Sequence, residues 1–166
     1  MEHIHSNLRI GLGEDSHRLG PGGPLRIGGV DVPHSQSLIG HSDADVLLHA
    51  ITDALLGAAA LPDIGRMFPN TDAVNRGRDS AEMLAAAADE VAEAGYRLVN
   101  LDCVIHAEQP KLAVYIDAMR TRIAHILRIE PEQVGLKAKT GEGIGPVGRQ
   151  EIIETRCIAL VEPIST

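Results

Sequence analysis

Apolar residues recur along the first third of the chain with two different spacings. Residues 8–13 alternate short and apolar side chains, which predicts a strand, and residues 24–30, between glycine and proline clusters, predict a short strand or hairpin arm. From residue 42 or 43 to about residue 60 the chain is apolar on most faces. This pattern predicts a helix that is buried on nearly all sides.

The rest of the chain predicts two amphipathic helices and further strands. One helix begins near Asp79, where Asp79 and Glu82 have the spacing of a capping box, and it ends at Gly95. Another begins at Pro110, a residue suited to a first helical turn, and continues to residue 127 with an apolar stripe. The remaining segments are predicted strands, at 96–107, 134–140 and 151–162.

This order of elements predicts an α+β fold. We expect a single-domain α/β sandwich over residues 8–166, with a mixed sheet and helices packed on one face, preceded by a flexible segment at 1–7. A chain of 166 residues can bury a core without disulfides or metals. Because 44% of the residues are hydrophobic but only 2% are aromatic, that core must be built from Ala, Leu, Ile and Val.

Charge and cysteine content narrow the possible functions. The net charge is −8 and the 15 lysines and arginines are scattered, which argues against nucleic-acid binding. An anionic substrate would therefore need metal ions or a few well-placed basic groups. Cys103 and Cys157 lie in apolar, strand-like runs and are predicted to be buried free thiols. No run approaches the roughly 20 apolar residues of a membrane span, so we expect a cytoplasmic protein, or a plastid stromal one if the chain is a processed plant form.

Two groups of polar residues indicate a metal site. Asp15 and His17 stand two apart at the end of the first strand, so strand alternation puts them on one face, although a plain charged pair is an alternative. On the predicted buried helix, Asp45, His49 and Asp53 form a polar row at i, i+4 and i+8. A histidine flanked by carboxylates resembles a metal-binding imidazole whose second nitrogen is also held, but it can also be a hydrogen-bonded core residue.

Asp15, His17 and His49 together would leave a fourth coordination position open. A catalytic zinc site requires this arrangement. Nitrogen and oxygen ligands without sulfur permit manganese or cobalt as well. The spacing therefore predicts a divalent metal without selecting one.

Two further segments have the character of phosphate-binding sites. His41 and Ser42 precede the buried helix, where its N-terminal amides would favour phosphate oxygens, although Ser42 could be a plain N-cap. A glycine-rich segment at 137–149 could surround phosphates with amides and cations, and its polar residues are Lys137, Lys139, Thr140, Glu142 and Arg149. Glu142 suits a magnesium ion completed by substrate phosphates and water.

These motifs together resemble the 2-C-methyl-D-erythritol 2,4-cyclodiphosphate synthase family. The resemblance rests on G-x-D-x-H at 13–17, H-S-D-A-D-V-x-x-H-A at 41–50 and a long block at 52–72, and it extends from about residue 8 to the C-terminus. It implies conversion of 4-diphosphocytidyl-2-C-methyl-D-erythritol 2-phosphate to the cyclic diphosphate with release of CMP, in the non-mevalonate isoprenoid pathway. It also implies a homotrimer with active sites between subunits, acting on a small cytidine diphosphate substrate without nucleic acid or membrane.

The resemblance further implies roles for individual residues. Zinc would be held by Asp15, His17 and His49, and Mg²⁺ or Mn²⁺ by Glu142 with the substrate diphosphate. His41 and Thr140 would be catalytic, stabilising the transition state. The other residues implied to bind substrate are Ser42, Lys139, Gly141 and Arg149 near phosphates, Asp63, Ile64, Gly65, Phe68, Pro69, Asn70, Thr71 and Asp72 near the erythritol, and Ala107, Lys111, Leu112 and Ala113 near the cytidine.

The sequence departs from the family pattern at three places. Lys139, Thr140, Gly141 and Glu142 stand where T-T-T-E is usual, so a hydroxyl contact becomes a cation. Asn70 replaces an aspartate, and Pro146 stands where an aromatic residue often lines the central cavity of the trimer.

Two other functions fit the metal-site residues. A divalent-metal phosphohydrolase would use water in place of a substrate phosphate as nucleophile. A non-catalytic trimeric scaffold would use the metal for stability alone.

Overall fold

The computed structural model describes residues 7–69 and 71–164, so residues 1–6 of the predicted N-terminal segment lie outside it, as does Asn70. The described strands are β1 Arg9–Pro21, β2 Leu25–Ile27, β3 Val30–Val32, β4 Gln36–Ile39, β5 Tyr96–His106, β6 Val134–Lys139 and β7 Ile152–Pro163. The described α-helices are α1 Val46–Ala58, α2 Ile64–Met67, α3 Ser80–Glu93, α4 Ile116–Leu127 and α5 Gly145–Gly148.

The main sheet has the strand order β4-β1-β7-β5-β6, and β2 and β3 form a separate hairpin. Strands β5 and β6 run parallel, whereas the other neighbours in the main sheet are antiparallel. The predicted α+β domain with a mixed sheet is therefore confirmed. In this register His17 on β1, Glu154 on β7, and His106 and Lys139 on β5 and β6 all lie at one end of the sheet.

Helices cover one face of the main sheet, and α1 lies closest to it. This helix packs against β1 and β7, and nearly all of its side chains are buried, as its apolar sequence predicts. Gly11 and Gly13 make the close approach possible, because a Cβ atom at either position would lie 2.0 Å from a carbonyl oxygen of α1. Within 7–69 and 71–164 no helix combines the length and apolarity needed to cross a membrane.

The opposite face of the sheet carries exposed apolar side chains. Ile10, Leu12 and Ile158 are 74%, 65% and 53% exposed. They alternate along β1 and β7 with residues that face the helices, such as Gly11 and the buried Cys157. The two-residue period of the strands therefore places exposed apolar side chains together on this face.

Cys103 and Cys157 are directly opposite each other on β5 and β7. Both are buried and free, which confirms the prediction from their apolar surroundings. The hydrogen bond with Cys157 and burial together raise the pKa of the Cys103 thiol.

Three predicted boundaries differ from the structure. Helix α1 begins at Val46, after the N-cap Asp45, because residues 41–43 hydrogen-bond to residues 77–78 and are held outside the helix. The third long helix begins at Ile116, since Ala107 donates its amide to Lys139 and the following residues form a turn and a 3₁₀ segment. Strand β1 continues to Pro21 because β4, which the sequence did not predict, pairs with its end.

Candidate metal centre and substrate pocket

Asp15 and His17 from β1 meet His49 from α1 at the helix-covered face of the sheet. The Asp15 Oδ2 atom lies 3.0 Å from His17 Nε2 and 3.0 Å from His49 Nδ1. The two ring nitrogens are 3.3 Å apart. Within the described residues, these three side chains form the one group of three or more potential ligands able to hold a single metal ion.

Hydrogen bonds on the far side of each ring determine which nitrogen carries the proton. His17 Nδ1 lies 3.0 Å from the carbonyl oxygen of Ile39, which can only accept, so Nδ1 must donate. His49 Nε2 lies 2.9 Å from the Ser80 hydroxyl and 3.1 Å from the Ser42 hydroxyl. With these protons placed outward, neutral rings direct two nitrogen lone pairs at the Asp15 carboxylate.

Three electron-pair donors that face one another need a cation or additional protons between them. Zinc bonds to nitrogen and oxygen are about 2.0 to 2.1 Å long, so the ligands of a tetrahedral ion lie about 3.3 Å apart. The observed separations of 3.0 to 3.3 Å match that value. The donor set therefore fits a divalent metal such as zinc, with further positions open to substrate.

The electrostatics of Asp15 and His17 favour positive charge at the same point. Burial raises the pKa of the Asp15 carboxyl group, but contacts with His17 and His49 outweigh burial and leave this pKa far below its ordinary value. The contact with Asp15 in turn raises the pKa of His17. Asp15 therefore remains ionised, as a metal ligand must.

The two carboxylates of the predicted polar row do not hold the second nitrogen of His49. Asp45 accepts hydrogen bonds from the amides of Gly28, Gly29 and Leu48, while Asp53 accepts one from Ile64. Burial raises the pKa of both carboxyl groups. The second nitrogen of His49 is held, as the sequence suggested, but by the hydroxyls of Ser80 and Ser42, because nearby backbone amides bind the two carboxylates.

A cavity of about 550 Å³ opens beside the three ligands. It brings together most of the site residues predicted in the first half of the chain, namely Asp15, His17, His41, Ser42, His49, Ile64, Gly65 and Phe68. A second cavity, which shares His41, is lined by Thr71 and Asp72. His41 therefore stands where the two cavities meet.

Residues 41–44 reach this pocket as an irregular segment before α1. The expectation that His41 and Ser42 lie at the N-terminal amides of the helix was wrong, because the cap is Asp45. Asp63 caps the short helix α2, whose first two residues, Ile64 and Gly65, line the pocket. The carbonyl oxygen of Pro69 accepts a hydrogen bond from the Asn75 side chain and thereby braces this loop.

The predicted site residues from the second half of the chain gather at a different place. Gly141 donates its amide to the Glu108 carboxylate, and Ala107 donates its amide to Lys139, so segments 107–113 and 139–142 pack together. Thr140 donates its hydroxyl to Glu142, and the side chains of Glu142 and Lys111 are exposed. Leu112, in contrast, is a buried core residue.

The two groups of predicted site residues, one from each half of the chain, lie at the same end of the sheet but on separate strands. Three strand spacings separate β1 from β6, which corresponds to about 14 Å at about 4.8 Å a strand. Neither Glu142 nor Lys139 lines the pocket beside His49. Arg149, predicted to contact phosphate, forms an exposed salt bridge with Glu151 at 2.7 Å.

Sequence reasoning missed several residues that shape the pocket. Asn75 and Met83 line it, and the Arg78 guanidinium lies 4.7 Å from the centre of the Phe68 ring. Ser80 contacts His49 although 31 residues separate them. The available signal for Ser80 was its place after the cap Asp79, which indicates a helix start but no contact with a metal ligand.

The chain is similar to known proteins in both sequence and structure. A family model described as "YgbB family" matches residues 8–162. The 2-C-methyl-D-erythritol 2,4-cyclodiphosphate synthase of Rhodopirellula baltica is 60% identical over 154 residues, covering 93% of this chain and 93% of that protein.

Solved structures agree in fold. The bifunctional IspDF from Campylobacter jejuni superposes with a TM-score of 0.93 at 38% identity, and the match covers 96% of this chain but only 43% of that longer one. A 2C-methyl-D-erythritol-2,4-cyclodiphosphate synthase in a CDP-bound form superposes with a TM-score of 0.86 at 37% identity, covering 93% of this chain and all of that one.

Proposed function

The chain belongs to the YgbB family and is a cyclising lyase that forms 2-C-methyl-D-erythritol 2,4-cyclodiphosphate, and we propose that it binds zinc at Asp15, His17 and His49. The convergence of these three donors beside the larger pocket is the observation that supports the metal site. The family match over 8–162 supports the reaction.

The substrate of the proposed reaction is 4-diphosphocytidyl-2-C-methyl-D-erythritol 2-phosphate. An oxygen of the 2-phosphate forms a bond to the β-phosphorus, while the bond from that phosphorus to the oxygen bridging it to the α-phosphorus breaks. CMP leaves with the bridging oxygen, and neither water nor an oxidant is consumed. Because nucleophile and electrophile belong to one molecule, the protein has to fold the substrate and balance its charge.

The residues of the pocket provide that folding and charge balance. When bound, zinc and magnesium would act as Lewis acids that polarise phosphoryl oxygens. Asp15, His17 and His49 would hold the zinc ion beside the pocket. His41, exposed at the junction of the two cavities, can donate a hydrogen bond to a phosphoryl oxygen as negative charge moves during transfer.

The glycine-rich loop supplies the second phosphate-binding element. Glu142 is exposed and its carboxylate accepts only the Thr140 hydroxyl among the hydrogen bonds of the described residues. A single carboxylate of this kind suits Mg²⁺, which keeps waters and substrate oxygens as its other ligands. Thr140 and Lys139 then contribute a hydroxyl and a cation to the same phosphates.

The erythritol and the cytidine of the substrate would bind in separate parts of the site. Ile64, Gly65 and Phe68 form the part of the pocket beyond the metal ligands, which suits the erythritol. Segment 107–113, tied to the glycine loop through Glu108, suits the cytidine, with Lys111 exposed beside it.

The proposed active unit is a homotrimer whose sites combine the two halves from neighbouring subunits. The distance of about 14 Å between strands β1 and β6 supports this arrangement, since one substrate must reach both. The exposed apolar face formed by Ile10, Leu12 and Ile158 supports association of the chains through their sheets.

Product analysis in water labelled with oxygen-18 tests the reaction. We expect CMP and a cyclic diphosphate, both free of the label, because a substrate phosphate is the nucleophile. A linear phosphate product carrying oxygen-18 would identify a phosphohydrolase and overturn the proposal.

Replacement of Glu142 by glutamine tests the second metal. We expect turnover at limiting magnesium to fall by about tenfold or more, because a neutral amide binds Mg²⁺ more weakly than a carboxylate. Zinc content, measured by elemental analysis, should remain at the wild-type value. Glu132→Gln, at an exposed glutamate near the start of β6, serves as the control. Equal loss of zinc from the Glu142 variant would contradict separate metal sites.

Mixing two impaired variants at limiting magnesium tests the shared site. His49→Ala and Glu142→Gln chains, unfolded and refolded together, should form mixed trimers. At some of their interfaces an intact His49 from one chain would meet an intact Glu142 from the other. We expect CMP release to recover to a measurable fraction of the wild-type rate, whereas each variant refolded alone stays at its own low rate. A mixture no more active than the average of its components would contradict a site between subunits.

A further inference from the structure

His49 is linked to a buried hydroxyl and a carboxylate on the side away from the metal site. Its Nε2 atom lies 2.9 Å from the hydroxyl oxygen of Ser80, the first residue of α3. The Ser80 hydroxyl donates a hydrogen bond to the Asp43 carboxylate. Ser80 is fully buried, so solvent cannot replace either partner.

Only one placement of protons satisfies the hydrogen bonds that link His49, Ser80 and Asp43. A carboxylate can only accept, so the Ser80 hydroxyl must give its proton to Asp43. The Ser80 oxygen then has lone pairs but no proton to offer His49. His49 must therefore donate from Nε2, and its Nδ1 lone pair is left pointing at Asp15 and His17.

Asp43 is itself held in place by several donors. Its carboxylate accepts the backbone amides of Ser80 and Asp45 at 3.1 and 3.2 Å. The Arg26 guanidinium lies 3.5 Å away and balances the negative charge. These contacts keep the carboxylate aimed at Ser80.

Ser42 also lies near His49 Nε2 but is differently placed. Its oxygen is 3.1 Å from that nitrogen and accepts the amide of Ala44, and its side chain lines the pocket. In contrast to Ser80, its hydroxyl proton is not committed to a carboxylate. Ser42 is therefore free to donate into the pocket.

From this geometry we infer that Ser80 and Asp43 are positioning residues that lock His49 in the tautomer with Nε2 protonated. This inference deepens the proposed metal site and rests on it. The pair acts through His49, and contacts neither metal nor substrate. Outer partners of this kind raise metal affinity by about 10- to 100-fold in proteins.

Zinc affinity is the measurement that tests this pair. Ser80→Ala and Asp43→Asn are expected to weaken zinc binding by about tenfold or more, as measured by competition with a chromophoric chelator. Since both changes break one linkage, the double variant should bind zinc no more than about twofold more weakly than the weaker-binding single variant. Thr155→Ala is the control, because it removes a buried hydroxyl that is bonded elsewhere. It should bind zinc as the wild type does.

Imidazole nitrogen NMR of the zinc-loaded wild type gives an independent readout that needs no variant. We expect the His49 signals to show a proton on Nε2 and the metal on Nδ1. A proton on Nδ1, or undiminished zinc affinity in a folded Ser80→Ala variant, would overturn the inference while leaving the metal site intact. Wild-type protein that fails to bind zinc would instead refute the metal site itself.

Discussion

Replacing His49 with alanine is expected to remove bound zinc and to lower CMP release at least about 1,000-fold while the protein stays folded. Asp15 and His17 alone leave a divalent ion with two protein ligands, one fewer than catalytic zinc sites use. Without the ion the substrate phosphates lose charge stabilisation worth several kcal/mol. The measurements are zinc content, CMP release at saturating substrate, and thermal unfolding of the metal-free forms.

His125→Ala provides the matched control for this substitution. His125 is exposed in the last turn of α4 and lies away from the pocket, so its loss should change neither zinc content nor turnover. A non-catalytic scaffold would instead show reduced stability in the His49 variant with no activity to lose. A His49 variant that keeps both zinc and turnover would contradict the assignment of this residue as a ligand.

Gly13→Ala is expected to reduce the free energy of unfolding by about 4 kcal/mol or more. A Cβ atom at residue 13 would lie 2.0 Å from the carbonyl oxygen of Ala50 and 2.5 Å from the amide nitrogen of Ala54. Both atoms belong to the backbone of α1, so relief requires α1 to move away from β1. Urea unfolding of the metal-free protein measures this change.

Gly57→Ala is the control on α1, and it is expected not to reduce the free energy of unfolding. A Cβ atom there would be no closer than 3.9 Å to its nearest neighbour, so the alanine fits and favours the helix. We expect a change between zero and a gain of about 1 kcal/mol. Similar losses for both glycine variants would show that close approach at Gly13 is not the cause.

The predictions that succeeded depend on short-range rules. Helix α3 follows the cap Asp79, as predicted, because the cap satisfies amides only two residues away. Asp15 and His17 share a face because strand alternation is a property of neighbouring residues. The buried character of α1 was visible in its apolar sequence.

The predictions that failed involve distant partners. The start of α1 depends on Asp45, which also binds the amides of Gly28 and Gly29. Strand β4 has only four residues and exists because β1 offers it an edge. Local sequence cannot reveal such pairings, since the stabilising atoms lie far away along the chain.

The order of the three long helices and the long strands, the apolar core and the residue types able to bind a metal were determined by the sequence itself, because propensity, periodicity and donor chemistry are local properties. Resemblance to a known family added the reaction. Only the tertiary structure decided that β1 and α1 bring Asp15, His17 and His49 within 3.3 Å, and that Ser80 rather than Asp45 or Asp53 holds the outer nitrogen of His49. The physical reason is that hydrogen bonds between distant residues form only after the packing of helix against sheet has set their separation and direction.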